Sequence, residues 1–143
     1  MRLIVDKHNQ QEFYEEEVRE LIDHIKDPSN YNVRLYIHDW IINNTKKGEH
    51  VLDVGCGSGI LCYHLKNEGR HPTGIDLTKV SVDFCKDKIP GVVFNQGKAE
   101  KLPFQNGLFD VVSSNQLLEH LKEPKVAIKE MIRVCKPNGK LLV

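Results

Sequence analysis

Residues 51–59 read Val-Leu-Asp-Val-Gly-Cys-Gly-Ser-Gly, and this stretch decides the fold of the 143-residue chain. The apolar residues are typical of a buried strand, the glycines at 55, 57 and 59 indicate a turn, and a periodic apolar segment from Ile60 predicts a helix. Because glycine has no Cβ, a ligand can approach the backbone of such a turn closely. A nicotinamide-dinucleotide fingerprint is disfavoured, since G-x-G-x-x-G would need glycine at position 60.

Strands and helices are predicted to alternate from residue 50 onward. The strands are 50–54, 71–76, 92–94, 109–113 and 140–143, and the helices lie near 59–68, 79–88 and 124–135. This order predicts an α/β fold, a doubly wound parallel sheet whose ligand binds at the carboxyl ends of the strands.

Asp76 ends the second predicted strand, 17 residues after Gly59. A carboxylate at this place can accept two hydrogen bonds from a ribose diol, which predicts a ribosyl cofactor without saying which one. The alternative is that Asp76 helps Thr78 to cap the helix that begins near Lys79. We prefer the ribose role because of the glycine turn that precedes it.

The first 49 residues are predicted to form a helical flank or lid on a cofactor-binding core of residues 50–143. One helix is expected over residues 11–25. A second carries an apolar stripe on which Tyr36 and Trp40 are expected to be core residues rather than an acceptor platform.

Composition excludes several classes of function. Lys plus Arg and Asp plus Glu number 20 each, so the net charge of zero disfavours a nucleic-acid partner. No histidine stands at zinc spacing from the four cysteines, so no metal site is expected, and the thiols are expected to be free core residues in a reducing compartment. No stretch is long and apolar enough for a signal peptide or a membrane span, so we expect a cytoplasmic protein.

Several motifs in order resemble class I S-adenosylmethionine-dependent methyltransferases of type 11, in particular the ubiquinone-biosynthesis O-methyltransferases. They are the stretches 51–59, 74–76, 97–104, 109–120 and 130–142. In addition, residues 32–37 resemble the N-P-L-R-L-x-Y-I segment of that group. The resemblance implies a Rossmann-like fold, S-adenosylmethionine as cofactor, S-adenosylhomocysteine as product, and methyl transfer to a small-molecule acceptor.

The resemblance also implies the site residues. Those expected to bind the cofactor are Arg34, Asp53, Gly55, Cys56, Gly57, Gly59, Asp76, Leu77, Lys98, Ala99, Glu100, Asn115 and Leu117. Lys98 stands where the family usually has an acid that accepts from the adenine amino group, so the adenine edge is expected to be read by backbone groups of Ala99 or by Glu100 instead. Arg34 either pairs with the cofactor carboxylate or is a solvated helix residue.

His120 is the candidate general base for an acceptor that must lose a proton, and the alternative is that it caps the turn before Pro124. Two other functions stay open beside methyl transfer. One is a non-catalytic S-adenosylmethionine-binding module, and the other is an NAD-dependent oxidoreductase, which Ile60 and Asp53 disfavour.

The methyltransferases that this chain resembles continue beyond the fifth strand through a helix and an antiparallel hairpin, whereas the chain stops at Val143. We therefore expect a sheet that is truncated after strand five, in a chain that is either a fragment or naturally minimal. An open fifth strand is expected to favour self-association.

Overall fold

A five-stranded parallel sheet forms the centre of the protein in the computed structural model, which describes residues 36–143. The elements follow in the order α1 (Tyr36–Asn43), β1 (His50–Val54), α2 (Ile60–Asn67), β2 (His71–Asp76), α3 (Lys79–Lys88), β3 (Val93–Gln96), β4 (Phe109–Ser113), a 3₁₀ helix (Leu118–His120), α4 (Pro124–Val134) and β5 (Cys135–Leu142). The strand order is β3-β2-β1-β4-β5, with every neighbouring pair parallel. The predicted doubly wound α/β fold is confirmed.

Strand β1 is the middle strand and is buried on both faces. Leu52 and Val54 belong to a cluster with Met131 of α4, while Val51 packs with Leu61 and other residues of α1 and α2 on the opposite face. Burial on both faces explains why β1 is an almost continuous apolar run. Asp53 is the exception, and alternation places it on the same face as Val51.

Two strands differ from the predicted ones. β3 begins one residue later than predicted, at Val93, and ends two residues later, because the polar residues Asn95 and Gln96 pair with Ile75 and Asp76 of β2. β5 begins at Cys135, directly after α4, instead of at residue 140 after a turn. Its register with β4 is irregular between Phe109 and Val111, and the Pro-Asn-Gly segment lies in this irregularity, as expected for a proline that cannot donate to the ladder.

The prediction that Tyr36 and Trp40 are core residues is wrong. Tyr36 is 85% exposed and Trp40 is 38% exposed, whereas Ile41 and Ile42 are each 1% exposed. His38 is also buried, so α1 turns positions 38, 41 and 42 toward the sheet and α2. These positions have the same i, i+3, i+4 spacing as the predicted stripe but a different rotation of the helix.

Arg70 connects the carboxyl end of α1 to the start of β2. Its guanidinium donates to the carbonyl oxygens of Ile42 and Thr45 at 3.1 and 3.0 Å, and to Thr45 Oγ1 at 3.0 Å. A helix leaves its last carbonyl groups without partners inside the helix, and a cation placed there satisfies them. The packing of α1 on the core therefore depends on Arg70.

Replacing Arg70 by alanine should lower the free energy of unfolding by about 2–3 kcal/mol, the range for losing hydrogen bonds to a charged group. Urea unfolding followed by circular dichroism measures this change. Lys86→Ala, which removes an exposed lysine of α3, is the control and should change stability by less than about 0.5 kcal/mol. Equal stability of the Arg70 variant and the parent would contradict the anchoring role.

Candidate cofactor-binding site

The predicted site residues that the structure describes lie at the carboxyl ends of the strands, around the point where the strand order reverses. From β1 the chain moves outward to β2 and β3, then returns to β4 on the other side of β1. In open parallel sheets the crevice at this switch point is the usual place for a ligand. The glycine loop, defined here as residues 55–59, follows β1, and the segment 115–117 follows β4. The two touch, since a Cβ added to Gly55 would lie 3.2 Å from Leu117 Cδ2.

Strand β2 holds the glycine loop in place. The amides of Gly55 and Cys56 both donate to the Ile75 carbonyl, at 2.8 and 3.0 Å. The Gly57 amide donates to Asp76 Oδ2 at 2.9 Å. On the far side, Cys85 Sγ lies 3.3 Å from the Gly57 carbonyl oxygen. The loop is therefore fixed by the last two residues of β2 and by α3.

Two glycines of the loop are there for different reasons. Gly59 has φ +76°, and a Cβ added to it would lie 2.7 Å from Ile89 Cδ1 and 2.8 Å from Cys85 Sγ, so the core requires glycine there. Gly57 has φ +52°, and an added Cβ would meet nothing within 4 Å. Gly57 thus borders open space beside Asp76, which is room for a ligand to pass close to the backbone.

Asp76 contacts Thr78, as in the capping arrangement considered from the sequence, and it also holds the glycine loop. Its Oδ1 accepts from the amide and the hydroxyl of Thr78, each at 2.9 Å, and Thr78 in turn accepts from the Ser81 amide at 3.3 Å as the N-cap of α3. Its Oδ2 accepts from Gly57. A carboxylate has about four acceptor positions, so about one remains beside these three bonds.

Asp53 is the second carboxyl group of the site and is only 4% exposed. Burial and, to a smaller extent, the negative charge of Asp76 raise the pKa of the Asp53 carboxyl to about 7, against the opposing effect of the contact with Ser113. Asp53 Oδ1 lies 3.5 Å from Ser113 Oγ, and Oδ2 lies 4.0 Å from Cys62 Sγ. Neither of these partners carries a positive charge.

Sequence reasoning missed Ser113 as the partner of Asp53. The two are register partners on β4 and β1, so the polar residue at the end of the apolar run Val111-Val112 was the available signal. Sequence reasoning also missed Gln116, which has φ +53° and is the one non-glycine residue in the described range with positive φ. Such a conformation is uncommon and is found at functional sites, and here it lies between Asn115 and Leu117.

Three of the four thiols lie in the glycine loop or pack with it, and the fourth, Cys135, is the half-buried first residue of β5. Cys56, Cys62 and Cys85 are buried and free, as predicted, and all three belong to one apolar cluster with Phe94 of β3. Burial raises the pKa of the Cys62 thiol well above its usual value. These thiols pack as small apolar residues.

The loop after β3 places its three predicted residues differently from one another. Ala99 is buried in the core cluster, Glu100 is half-buried, and Lys98 is exposed, with its carbonyl accepting from the Lys101 amide at 3.1 Å. Leu77, at the end of β2, is half-buried, and its carbonyl accepts from Gln96 Nε2 at 3.1 Å.

His120 lies on the 3₁₀ helix that follows segment 115–117. Its side chain is 49% exposed, and Nε2 lies 3.9 Å from Glu119 Oε1. Arg34 lies outside the described residues. Within residues 36–143, no three side chains of His, Cys, Asp or Glu are grouped so that they could hold a metal ion.

Comparisons with known proteins identify the family. The sequence model of the methyltransferase domain family matches residues 52–143. The ubiquinone biosynthesis O-methyltransferase of Coxiella burnetii is 36% identical over 101 residues, which cover 68% of this chain and 43% of that protein. The chain therefore belongs to the methyltransferase domain family. The resemblance to class I S-adenosylmethionine-dependent methyltransferases is confirmed, and the cofactor of this class is S-adenosylmethionine, which leaves as S-adenosylhomocysteine.

Solved structures agree on the fold. SpnF, described as a [4+2]-cyclase, has a TM-score of 0.68 and 32% identity, over 73% of this chain and 42% of its own. A TehB-like S-adenosylmethionine-dependent methyltransferase from Corynebacterium glutamicum has a TM-score of 0.74 at 18% identity, over 88% of this chain and 71% of its own, and supports the fold alone. The chain spans less than half the length of the curated relatives it matches.

The described residues fit an adenosyl ligand. Gly57 leaves the crevice open, and the Asp76 carboxylate beside it keeps about one acceptor position. The open space suits a close approach of the ligand to the backbone, and the acceptor position suits a ribose hydroxyl.

Gly57→Ala should weaken S-adenosylmethionine binding at least about tenfold, because the new methyl group points into the open space. It should cost about 1–2 kcal/mol of stability, since a Cβ is disfavoured at this φ. Calorimetry and urea unfolding measure both effects.

Gly59→Ala is the matched variant, and its main effect should be a loss of stability. Its Cβ would collide with Ile89 and Cys85, so the loss of stability should reach about 2 kcal/mol or more. Unchanged ligand affinity of Gly57→Ala would show that the ligand does not pass this part of the loop.

Proposed function

We propose that this chain binds S-adenosylmethionine across the glycine loop and transfers its methyl group to a small-molecule acceptor, which makes it an enzyme, a methyltransferase. One observation carries the proposal: the Gly57 amide and the Asp76 carboxylate are joined at the carboxyl edge of the sheet, beside open space. The family membership and the curated O-methyltransferase relative support it.

The cofactor, when bound, supplies an activated methyl group on a sulfonium leaving group. The chain then has to orient the ligand and the acceptor and exclude water. Asp76 is proposed to accept a hydrogen bond from a ribose hydroxyl. The floor of the site is proposed to consist of Gly55, Cys56, Gly57 and Gly59. Asp53 is proposed to face a cationic group of the ligand.

The remaining residues are proposed to complete the site. The adenine is proposed to contact Leu77, Ala99, Glu100 and the nearby Lys98. The methionine end of the cofactor is proposed to contact Asn115 and Leu117. Arg34 is assigned to the cofactor carboxylate through a charge-assisted pair. His120 is exposed and can accept a proton from an acceptor hydroxyl, so it is the proposed base where the acceptor needs one.

The division into a flank or lid of residues 1–49 and a core of residues 50–143 is also proposed, supported by the packing of α1 against the core through Ile41 and Ile42. No helix in the described part of the chain has the length and apolarity to span a bilayer. A cytoplasmic location and the lack of a nucleic-acid partner are proposed from composition, with its net charge of zero.

A second candidate function is cofactor binding without methyl transfer. The similarity to SpnF favours it, because SpnF has this fold and is a [4+2]-cyclase. Turnover with labelled S-adenosylmethionine over a panel of phenols, amines and thiols separates the candidates. Binding without labelled product from any acceptor would favour the second.

Asp76→Ala should weaken S-adenosylmethionine binding by about 1.5–3 kcal/mol, roughly ten- to a hundredfold, because a charged hydrogen-bond partner is lost. Calorimetry with S-adenosylmethionine, S-adenosylhomocysteine and NAD measures affinity and tests the oxidoreductase alternative. Affinity for NAD alone would overturn the proposal.

The control for Asp76→Ala is Thr78→Ala. Thr78 also touches the Asp76 carboxylate and caps α3, so its loss should cost about 0.5–2 kcal/mol of stability. Its affinity for the cofactor should stay near that of the parent. An equal loss of affinity in both variants would mean that Asp76 acts only by holding the loop and the helix.

We also propose weak self-association along the outer side of β5. Within the described sheet β5 is an edge strand, and Ile132 and Val143 beside it are each 59% exposed. Edge strands and exposed apolar residues favour contacts between chains. Sedimentation should show a mean mass that rises with protein concentration. This rise should be smaller in Ile132→Lys than in the control variant Lys86→Ala. A monomer at every concentration would contradict this proposal.

A further inference from the structure

Both oxygens of the Asp53 carboxyl face neutral groups. Ser113 Oγ approaches Oδ1 at 3.5 Å, and Cys62 Sγ approaches Oδ2 at 4.0 Å. A buried carboxylate is stable when it is paired with a cation or accepts several hydrogen bonds, and otherwise it tends to take up a proton. In the described chain, Asp53 has two long contacts to neutral donors and almost no access to water.

The other elements around Asp53 add no positive charge. Asp76 faces it from β2 with a negative charge, Ser113 from β4 is neutral, and Cys62 from α2 and Cys56 from the glycine loop are thiols. Among the described groups, those whose charge acts on Asp53 therefore oppose its ionisation. A cation that would balance Asp53 has to come from a ligand or from the part of the chain outside residues 36–143.

The Ser113 hydroxyl gives an ionised Asp53 little compensation. Ser113 Oγ lies 3.2 Å from the Leu52 carbonyl oxygen and 3.5 Å from Asp53 Oδ1. A hydroxyl has one proton, and the nearer Leu52 carbonyl competes for it. The Ser113 contact therefore opposes the rise in the pKa of Asp53 only in part.

We propose that Asp53 holds a proton in the ligand-free protein and releases it to solvent when a cationic group of a bound adenosyl ligand enters the site. Only the carboxyl O–H bond breaks, and the ligand cation replaces the proton as the balancing charge. Asp53 is thereby a specificity-determining residue, which favours ligands with a charged methionine end over neutral adenosyl thioethers. The inference rests on the proposed cofactor site.

The expected pH dependence follows from a pKa of about 7 for Asp53 in the ligand-free chain. Below that pH the proton has to leave before the cation is bound, so affinity should fall up to about tenfold for each pH unit. Close to one proton per ligand should be released at pH 6, and about a tenth of a proton at pH 8.

Calorimetry at pH 6 and pH 8, in two buffers with different ionisation enthalpies, counts the released protons. The probes are S-adenosylmethionine, S-adenosylhomocysteine, and 5′-methylthioadenosine, which has the adenosyl thioether without the amino-acid cation. Asp53→Asn removes the titrating group with little change of shape. Asp83→Asn, on the exposed side of α3, is the matched control.

The proposal predicts proton release at pH 6 with both charged ligands in the parent and in Asp83→Asn, and none in Asp53→Asn. The neutral thioether should bind without release or fail to bind. Binding of the charged ligands without release, release that persists in Asp53→Asn, or release with the thioether would each overturn the proposal. The comparison of ligands uses the parent chain, so it holds even where Asp53→Asn does not fold.

Failure of the proposed cofactor site gives a different result, since no adenosyl ligand would then produce heat of binding in any buffer, and the inference would fall with it. A second measurement addresses Asp53 without ligand. Because folding raises its pKa, the folded chain binds more protons than the unfolded chain between about pH 4 and 7, so Asp53 lowers stability as pH rises through that window. Asp53→Asn should therefore be more stable than the parent at pH 8, and lower stability in the folded variant would count against a neutral Asp53.

Discussion

The candidate site depends on how the end of β2 holds the glycine loop. Buried backbone groups need partners, and a loop of three glycines has few side chains to offer them. The Ile75 carbonyl and the Asp76 carboxylate accept three of the loop amides, and this fixes the point from which α2 starts. The placement of α2 in turn brings Cys62 against Asp53. One strand end therefore sets the shape of the loop, the direction of a helix and the surroundings of a buried acid.

The sequence predicted most of the fold because its strands are unambiguous apolar runs. β1, β2 and β4 have the bounds expected from pattern alone. The errors occur where a local pattern leaves a choice to the tertiary structure. The Pro-Asn-Gly segment of β5 is compatible with a turn or with an irregular strand, and pairing with β4 decides for the strand. In α1 the apolar spacing fits two rotations of the helix, and contact with α2 and the sheet selects Ile41 and Ile42.

The candidate site was predictable as a set of residues but not as a set of contacts. Sequence order placed the glycine loop and Asp76 at the same sheet edge, and the structure brings them within one hydrogen bond. The surroundings of Asp53 depend on the register of β1 with β4, which sets Ser113 opposite it. Register is a property of strand pairing, so a single strand cannot reveal that a neutral serine stands opposite Asp53. The sequence likewise does not show that the Asp76 carboxylate accepts hydrogen bonds from both Gly57 and Thr78, because these bonds depend on the three-dimensional structure.

The exposed side of α1 has a spectroscopic consequence. Trp40 is the only tryptophan of the chain, and it lies partly exposed on the helix that Arg70 ties to β2. Its indole emission reports the polarity around α1 without interference from a second tryptophan. Anything that covers this helix would shift the emission to shorter wavelength and protect the indole from soluble quenchers. Trp40 is therefore an intrinsic fluorescence probe on α1, the helix that follows residues 1–35 in the sequence.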